Sequence, residues 1–100
     1  MVKHIVMWHL HDAVDSRSKS ENAAAIKEAL EALKGKIPGL LHIEVGLDFE
    51  GSDQAADVVL YSEFKSREAL AAYQAHPLHQ AAIPLVKSVA KERTVVDYEC

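Results

Sequence analysis

VKHIVMWHLH, residues 2–11, is β-branched and aromatic and holds neither glycine nor proline, so it predicts a strand. Side chains alternate along a strand. His4, Val6, Trp8 and Leu10 therefore share one face, and Ile5, Met7, His9 and His11 share the other. Both faces are partly apolar, which calls for cover on both sides. A chain of 100 residues buries only about 60 to 65% of the surface exposed when it is unfolded, so the second cover is expected from another subunit.

The rest of the chain supplies the first cover. In SRSKSENAAAIKEALEALKGKIPG, serines offer N-caps, and Ala23, Ile26, Leu30, Leu33 and Ile37 recur at three- and four-residue spacing, the stripe of an amphipathic helix stopped by Gly35 and Pro38-Gly39. LLHIEVGL (40–47) and DVVLYSEF (57–64) predict two strands paired across the polar loop DFEGSDQAA. Ser66 caps a second helix through Leu70 and Tyr73. A further helical segment follows Pro77, kinked or interrupted at Pro84, and ERTVVDYE (92–99) closes the chain as a fourth strand. The order strand, helix, strand, strand, helix, strand is the split βαβ arrangement: one α+β, ferredoxin-like domain over residues 1–100, with a four-stranded antiparallel sheet and its helices on one face.

Composition narrows the partners. The net charge is -4, with lysines and arginines scattered along the chain, so neither nucleic acid nor anionic membrane is expected. The only cysteine is Cys100, no apolar run reaches membrane-spanning length, and the N-terminal stretch is too rich in histidine for a signal peptide. A soluble cytoplasmic chain is the expectation.

Candidate chemistry gathers in AYQAHPLHQAA, residues 72–82. Proline disfavours helical backbone at the residue before it and sits well at the first position of a helix, so the chain should break at His76-Pro77. In one continuous helix Tyr73 and His79 would lie about 120° apart. A break lets them converge. The positive end of the second helix would disfavour imidazolium at His79, leaving a neutral base beside a phenol donor, a pair suited to removing a proton next to a carbonyl. His4 shares a face with Val6, Trp8 and Leu10 and would line the same pocket, as would His76, which is also placed to cap the break. The same residues read as structural too: Tyr73 as a core aromatic, His79 and His4 as satisfied histidines, and His9 and His11 as rim or interface groups. His76-x-x-His79 is half a metal site with no completing ligand, and the chain has no glycine-rich phosphate loop, nucleophile elbow or nucleophilic cysteine.

VKHIVMWHLHD, IPGLLHIEVG, SEFKSREALAAYQAHPLHQA and ERTVVDYE resemble, in register over nearly the whole chain, the stress-responsive dimeric α/β-barrel (Dabb) domain family. The resemblance implies a homodimer whose two sheets pack into a barrel. A plant polyketide cyclase of this family uses a tyrosine and a histidine for an aldol cyclisation. Tyr73 and His79 fall on those positions, and His4 falls on a cavity histidine. By resemblance, the chain is expected to be a cofactor-free cyclase or isomerase acting on a polyketide-like or other small apolar carbonyl compound. The other class is a non-catalytic stress-response or ligand-binding homodimer, and cofactor-free monooxygenases of the wider superfamily are a third. Several relatives hold magnesium through backbone carbonyls, which here would be those of Lys34, Ile37 and Leu40. Where the plant cyclase has bulky aromatics on its first helix this chain has AAAIKEAL, so the cavity should differ in shape.

Overall fold

The computed structural model describes residues 1–100. In chain order it contains β1 (Val2–Leu10), a hairpin of β2 (Ala13–Val14) and β3 (Arg17–Ser18), α1 (Lys19–Glu31), β4 (Leu40–Leu47), β5 (Val58–Phe64), α2 (Arg67–Ala75), α3 (Pro77–Val89) and β6 (Ala90–Glu99). The four long strands form one antiparallel sheet in the order β4-β5-β1-β6. This is the ferredoxin-like α+β fold, with the helices gathered over one face of the sheet.

Alternation decides what each strand buries. On β1 the buried set is Val2, His4, Val6, Trp8 and Leu10, and on β5 it is Val58, Leu60, Ser62 and Phe64. Registers of Val6 with Leu60 and Trp8 with Val58 carry these side chains into one layer beneath Ile26 and Leu30 of α1 and Leu70 and Tyr73 of α2. β6 differs. It is an edge strand beyond the helices, so of its residues only Ala90 is even half-buried.

Local chemistry sets the helix starts. Ser18 and Glu21 form a reciprocal capping box on α1, and the Ser66 hydroxyl accepts from the Ala69 N–H at the start of α2. Three details depart from expectation. α1 ends at Glu31 with its cap at Ala32, so Leu33 and Ile37 are buried from the following turn rather than from the helix. α3 runs uninterrupted through Pro84, whose exposed position leaves water to serve the carbonyl that loses its N–H partner. The β2-β3 hairpin is the third: its turn holds Asp15 and Ser16 at φ of 53° and 64°, a left-handed pair without the glycine that usually marks it. Gly39, at φ +84°, brings the chain back to the sheet so closely that a Cβ there would stand 2.6 Å from that of Ala69.

Candidate functional site

The site is assembled on β1. His4 lies opposite Ser62 of β5 on one side and Asp97 of β6 on the other. The small Ser62 side chain turns back on the sheet, its hydroxyl donating to the His4 carbonyl at 2.9 Å. The Asp97 carboxylate pairs with His4 Nδ1 in a very short contact. A carboxylate only accepts, so the proton sits on Nδ1 and Nε2 is left as the free ring nitrogen. His4 itself is 3% exposed, and this pairing satisfies an otherwise costly buried polar group.

The break between α2 and α3 supplies the other two groups. His76 has extended backbone (φ -67°, ψ 137°) and serves as C-cap of α2 and N-cap of α3, with Pro77 opening the new helix. Its Nδ1 accepts from the Leu78 N–H at 3.1 Å. His76 therefore caps the helix and is not part of the pocket wall, a correction to its expected place there. Beyond it the chain bends so that Tyr73 and His79 meet, ring centroids 4.4 Å apart and tilted by 46°. Tyr73 also lies against Phe64 at 4.9 Å and His4 at 6.4 Å.

Electrostatics separates the two. His79 Nδ1 lies 3.2 Å from the Gln74 carbonyl, which fixes Nδ1–H as the donor and leaves Nε2 with its lone pair. Burial pushes the His79 pKa below its ordinary 6.5, and the neighbouring His4 and Arg93 push the same way against the Gln74 carbonyl. Desolvation, rather than the helix end, is thus the main push toward the neutral imidazole expected from the sequence. Tyr73 is completely enclosed, its phenol pushed up to about 12 by burial, and its hydroxyl has no hydrogen-bond partner. A buried, unpartnered hydroxyl is costly. Tyr73→Phe is accordingly expected to raise stability by about 1 kcal/mol in urea denaturation; a loss of that size would show that the hydroxyl is satisfied.

In front of these rings a cavity of about 430 Å³ opens between α3, α1 and the β1-β6 pair. His4, His79, Val6 and Trp8 line it, as do Leu30, Leu60 and Val86, while Tyr73 lies directly behind His79 and off the wall. Its size and apolar lining suit a small organic ligand. Sequence reasoning missed two contributors. Asp97 is found only through the β1-β6 register, its one local signal being a carboxylate in the apolar run TVVDY. The cations Lys87, Lys91 and Arg93 at the mouth come from the end of α3 and the start of β6.

The carbonyls of Lys34, Ile37 and Leu40 lie on the turn after α1 and the first residue of β4. That of Ile37 already accepts from the Leu40 N–H at 3.2 Å, and the turn carries the ammonium groups of Lys34 and Lys36. Nowhere do three or more His, Cys, Asp or Glu side chains cluster as metal ligands. The three oxygens named are neutral, whereas magnesium usually takes a carboxylate, and no chemical step is derived through a metal.

A ferredoxin-like sheet with helices on one face and a pocket between α3 and the edge strand defines a class of small α/β-barrel proteins. Residues 2–100 match the model of the Stress responsive A/B Barrel Domain, and the chain belongs to that family. It is 32% identical over 99 residues, 99% of each chain, to an uncharacterized protein of Streptomyces coelicolor. A dimeric, ferredoxin-like protein of unknown function from Bacteroides fragilis superposes with a TM-score of 0.87 at 38% identity, over 99% of this chain and 95% of the other. A second dimeric ferredoxin-like protein, from Thermobifida fusca, gives 0.85 at 23%, over 99% and 90%. More distant structures, a putative antibiotic biosynthesis monooxygenase and a hydroxynitrile lyase among them, share the fold alone. No helix is long and apolar enough to cross a membrane.

Proposed function

We propose that the chain acts as a homodimer in which each protomer carries a proton-transfer pocket, cyclase or isomerase in type, for a small apolar carbonyl compound. His79 Nε2 takes the proton from the carbon next to the carbonyl, and the electron pair of the broken C–H bond passes into an enolate. Tyr73, packed behind His79 with its hydroxyl unpartnered, turns into the cavity as the ligand enters and donates that hydroxyl to the enolate oxygen. His4, held in one tautomer by Asp97, positions the group. In an isomerisation the proton returns to a different carbon; in a cyclisation the enolate carbon bonds to a second carbonyl carbon, whose oxygen takes up the proton.

The observation that carries this proposal is the meeting of an imidazole on the wall of an apolar cavity, its pKa pushed down by burial, with a buried, unpartnered phenol packed directly behind it. Dimerisation draws support from the uncovered sheet face. Met7, Val96 and Tyr98 there are 38%, 48% and 44% exposed, with Ile5 and Val59 between them, and the fully exposed Phe49 borders the same face. The dimeric Bacteroides fragilis protein points the same way. Tyr73's complete enclosure favours a second reading, a non-catalytic stress-response or ligand-binding homodimer in which the three rings are packing.

Mass spectrometry of compounds carried through native purification separates the two. His79→Ala protein should retain a carbonyl compound that added wild-type protein converts to an isomer, open-chain or cyclic, of the same mass and a different chromatographic retention. An unchanged compound would leave only the binding role.

A further inference from the structure

The mouth of the cavity inverts the charge of the chain. The molecule carries -4 overall, yet Lys87, Lys91 and Arg93 stand together on the rim, with Glu92 the one acidic residue among those lining the cavity. Their placement has structural causes. Lys87 occupies the last turn of α3, where a cation complements the helix dipole. Arg93 lies opposite Trp8 in the β1-β6 register, on the same side of the sheet as the cavity. Lys91 falls at the irregularity where Glu92 pairs with His9 but Ala90 with Leu10, the extra residue that brings it to the rim. None of the three is engaged by a carboxylate: the ion pairs of this molecule use Lys19, Lys27, Arg67, His4 and His42. Arg93 acts inward as well, since its charge is one of those that hold His79 neutral. Three like charges crowd one rim above a wall of Val6, Trp8, Leu30, Leu60 and Val86.

We infer that the ligand is an oxo acid, with an apolar body against this wall, a carbonyl toward His79 and Tyr73, and a carboxylate held at the mouth by Arg93 with Lys87 and Lys91. The planar, always-charged guanidinium meets a carboxylate through two parallel N–H donors, which makes Arg93 the group that sets specificity. A neutral compound of the same length fills the wall and leaves the rim cations unused. The inference rests on the pocket of the proposed function and deepens it by naming the charge of the ligand.

Trp8 is the single tryptophan, lines the cavity and is 5% exposed, so its fluorescence reports occupancy. Decanoate and 2-decanone, alike in length, differ in charge: the first presents the carboxylate alone, the second the ketone alone. Decanoate is expected to bind about tenfold tighter or better, a tenfold ratio being the equivalent of 1.4 kcal/mol. Its affinity should fall with added sodium chloride while that of 2-decanone does not. Arg93→Gln should bring the two affinities within about threefold. Should that variant fail to fold, the salt dependence of the wild-type protein still decides. Equal binding of the two probes, or a preference that survives both salt and Arg93→Gln, overturns the anionic class and leaves proton transfer standing. A Trp8 signal unmoved by either probe removes the pocket and with it both proposals. Preference for decanoate in a protein that exchanges no α-protons of 2-decanone supports the carboxylate site at the mouth while removing the chemistry.

Discussion

Phe64→Ala is expected to lower the stability of this domain by about 3–5 kcal/mol, the cost of truncating a fully buried aromatic and leaving a cavity. Phe64 is 0% exposed at the end of β5 and is the residue on which the site rests: its ring lies 6.3 Å from that of His4, edge to face, and 4.9 Å from Tyr73. A domain of this size has about 5–15 kcal/mol in total, so the variant should survive with a much lower urea midpoint. The same deletion unseats Tyr73 and His4 together. Leu33→Ala, in the turn after α1 and away from the three rings, serves as the comparison: it should cost stability without disturbing ligand binding. A midpoint for Phe64→Ala within about 1 kcal/mol of wild type would mean that the core does not depend on this ring.

His79→Ala is expected to leave the fold in place and to lower α-proton exchange about 10²- to 10⁴-fold, the usual contribution of a general base. Exchange is read by NMR as deuterium entering 2-decanone. The dependence on pH has its origin in the same burial. Because the imidazole is held below 6.5, it stays an acceptor as the medium is acidified past that point, so the acid limb of the wild-type profile should fall below pH 6.5. The phenol at about 12 stays a donor throughout, and no alkaline limb from Tyr73 should appear below about pH 11. Stability moves with the opposite cost. As pH falls through 6.5 the unfolded chain takes up a proton at residue 79 before the folded one does, so this residue's contribution is complete above 6.5 and declines below it. His79→Ala removes that decline. Exchange in the variant equal to wild type would assign the base elsewhere.

Much of the fold is legible locally because its determinants are local. The backbone period alone places His4, Val6, Trp8 and Leu10 on one face of β1, and Ser66 and Pro77 mark two helix starts by donor arithmetic that needs no tertiary context. Leu33 and Ile37 show where that logic ends. They continue the stripe of α1, yet a residue buried from a turn has the same spacing as one buried from a helix. The β2-β3 hairpin has two residues on each side and turns on Asp15-Ser16, too short and too unlike Asn-Gly to register. The bend at His76 is readable from the proline, and with it the approach of Tyr73 to His79. Asp97 is not, since its role depends on a strand pairing 93 residues away in sequence from His4. The rim cations stand close together in KSVAKER, but nothing in that stretch says that the passage from α3 into β6 sets all three around one cavity mouth.

The central claim is that a neutral His79 presents its Nε2 lone pair beside Tyr73 inside an apolar pocket. Nitrogen-15 NMR of histidine-labelled protein measures this directly, with the six histidines resolved by comparison with His79→Ala. At pH 6.5 the claim requires residue 79 to show a protonated Nδ1 and an unprotonated Nε2, with the Nε2 resonance shifting when decanoate fills the cavity. An imidazolium at that pH, or a proton on Nε2 instead of Nδ1, would contradict it.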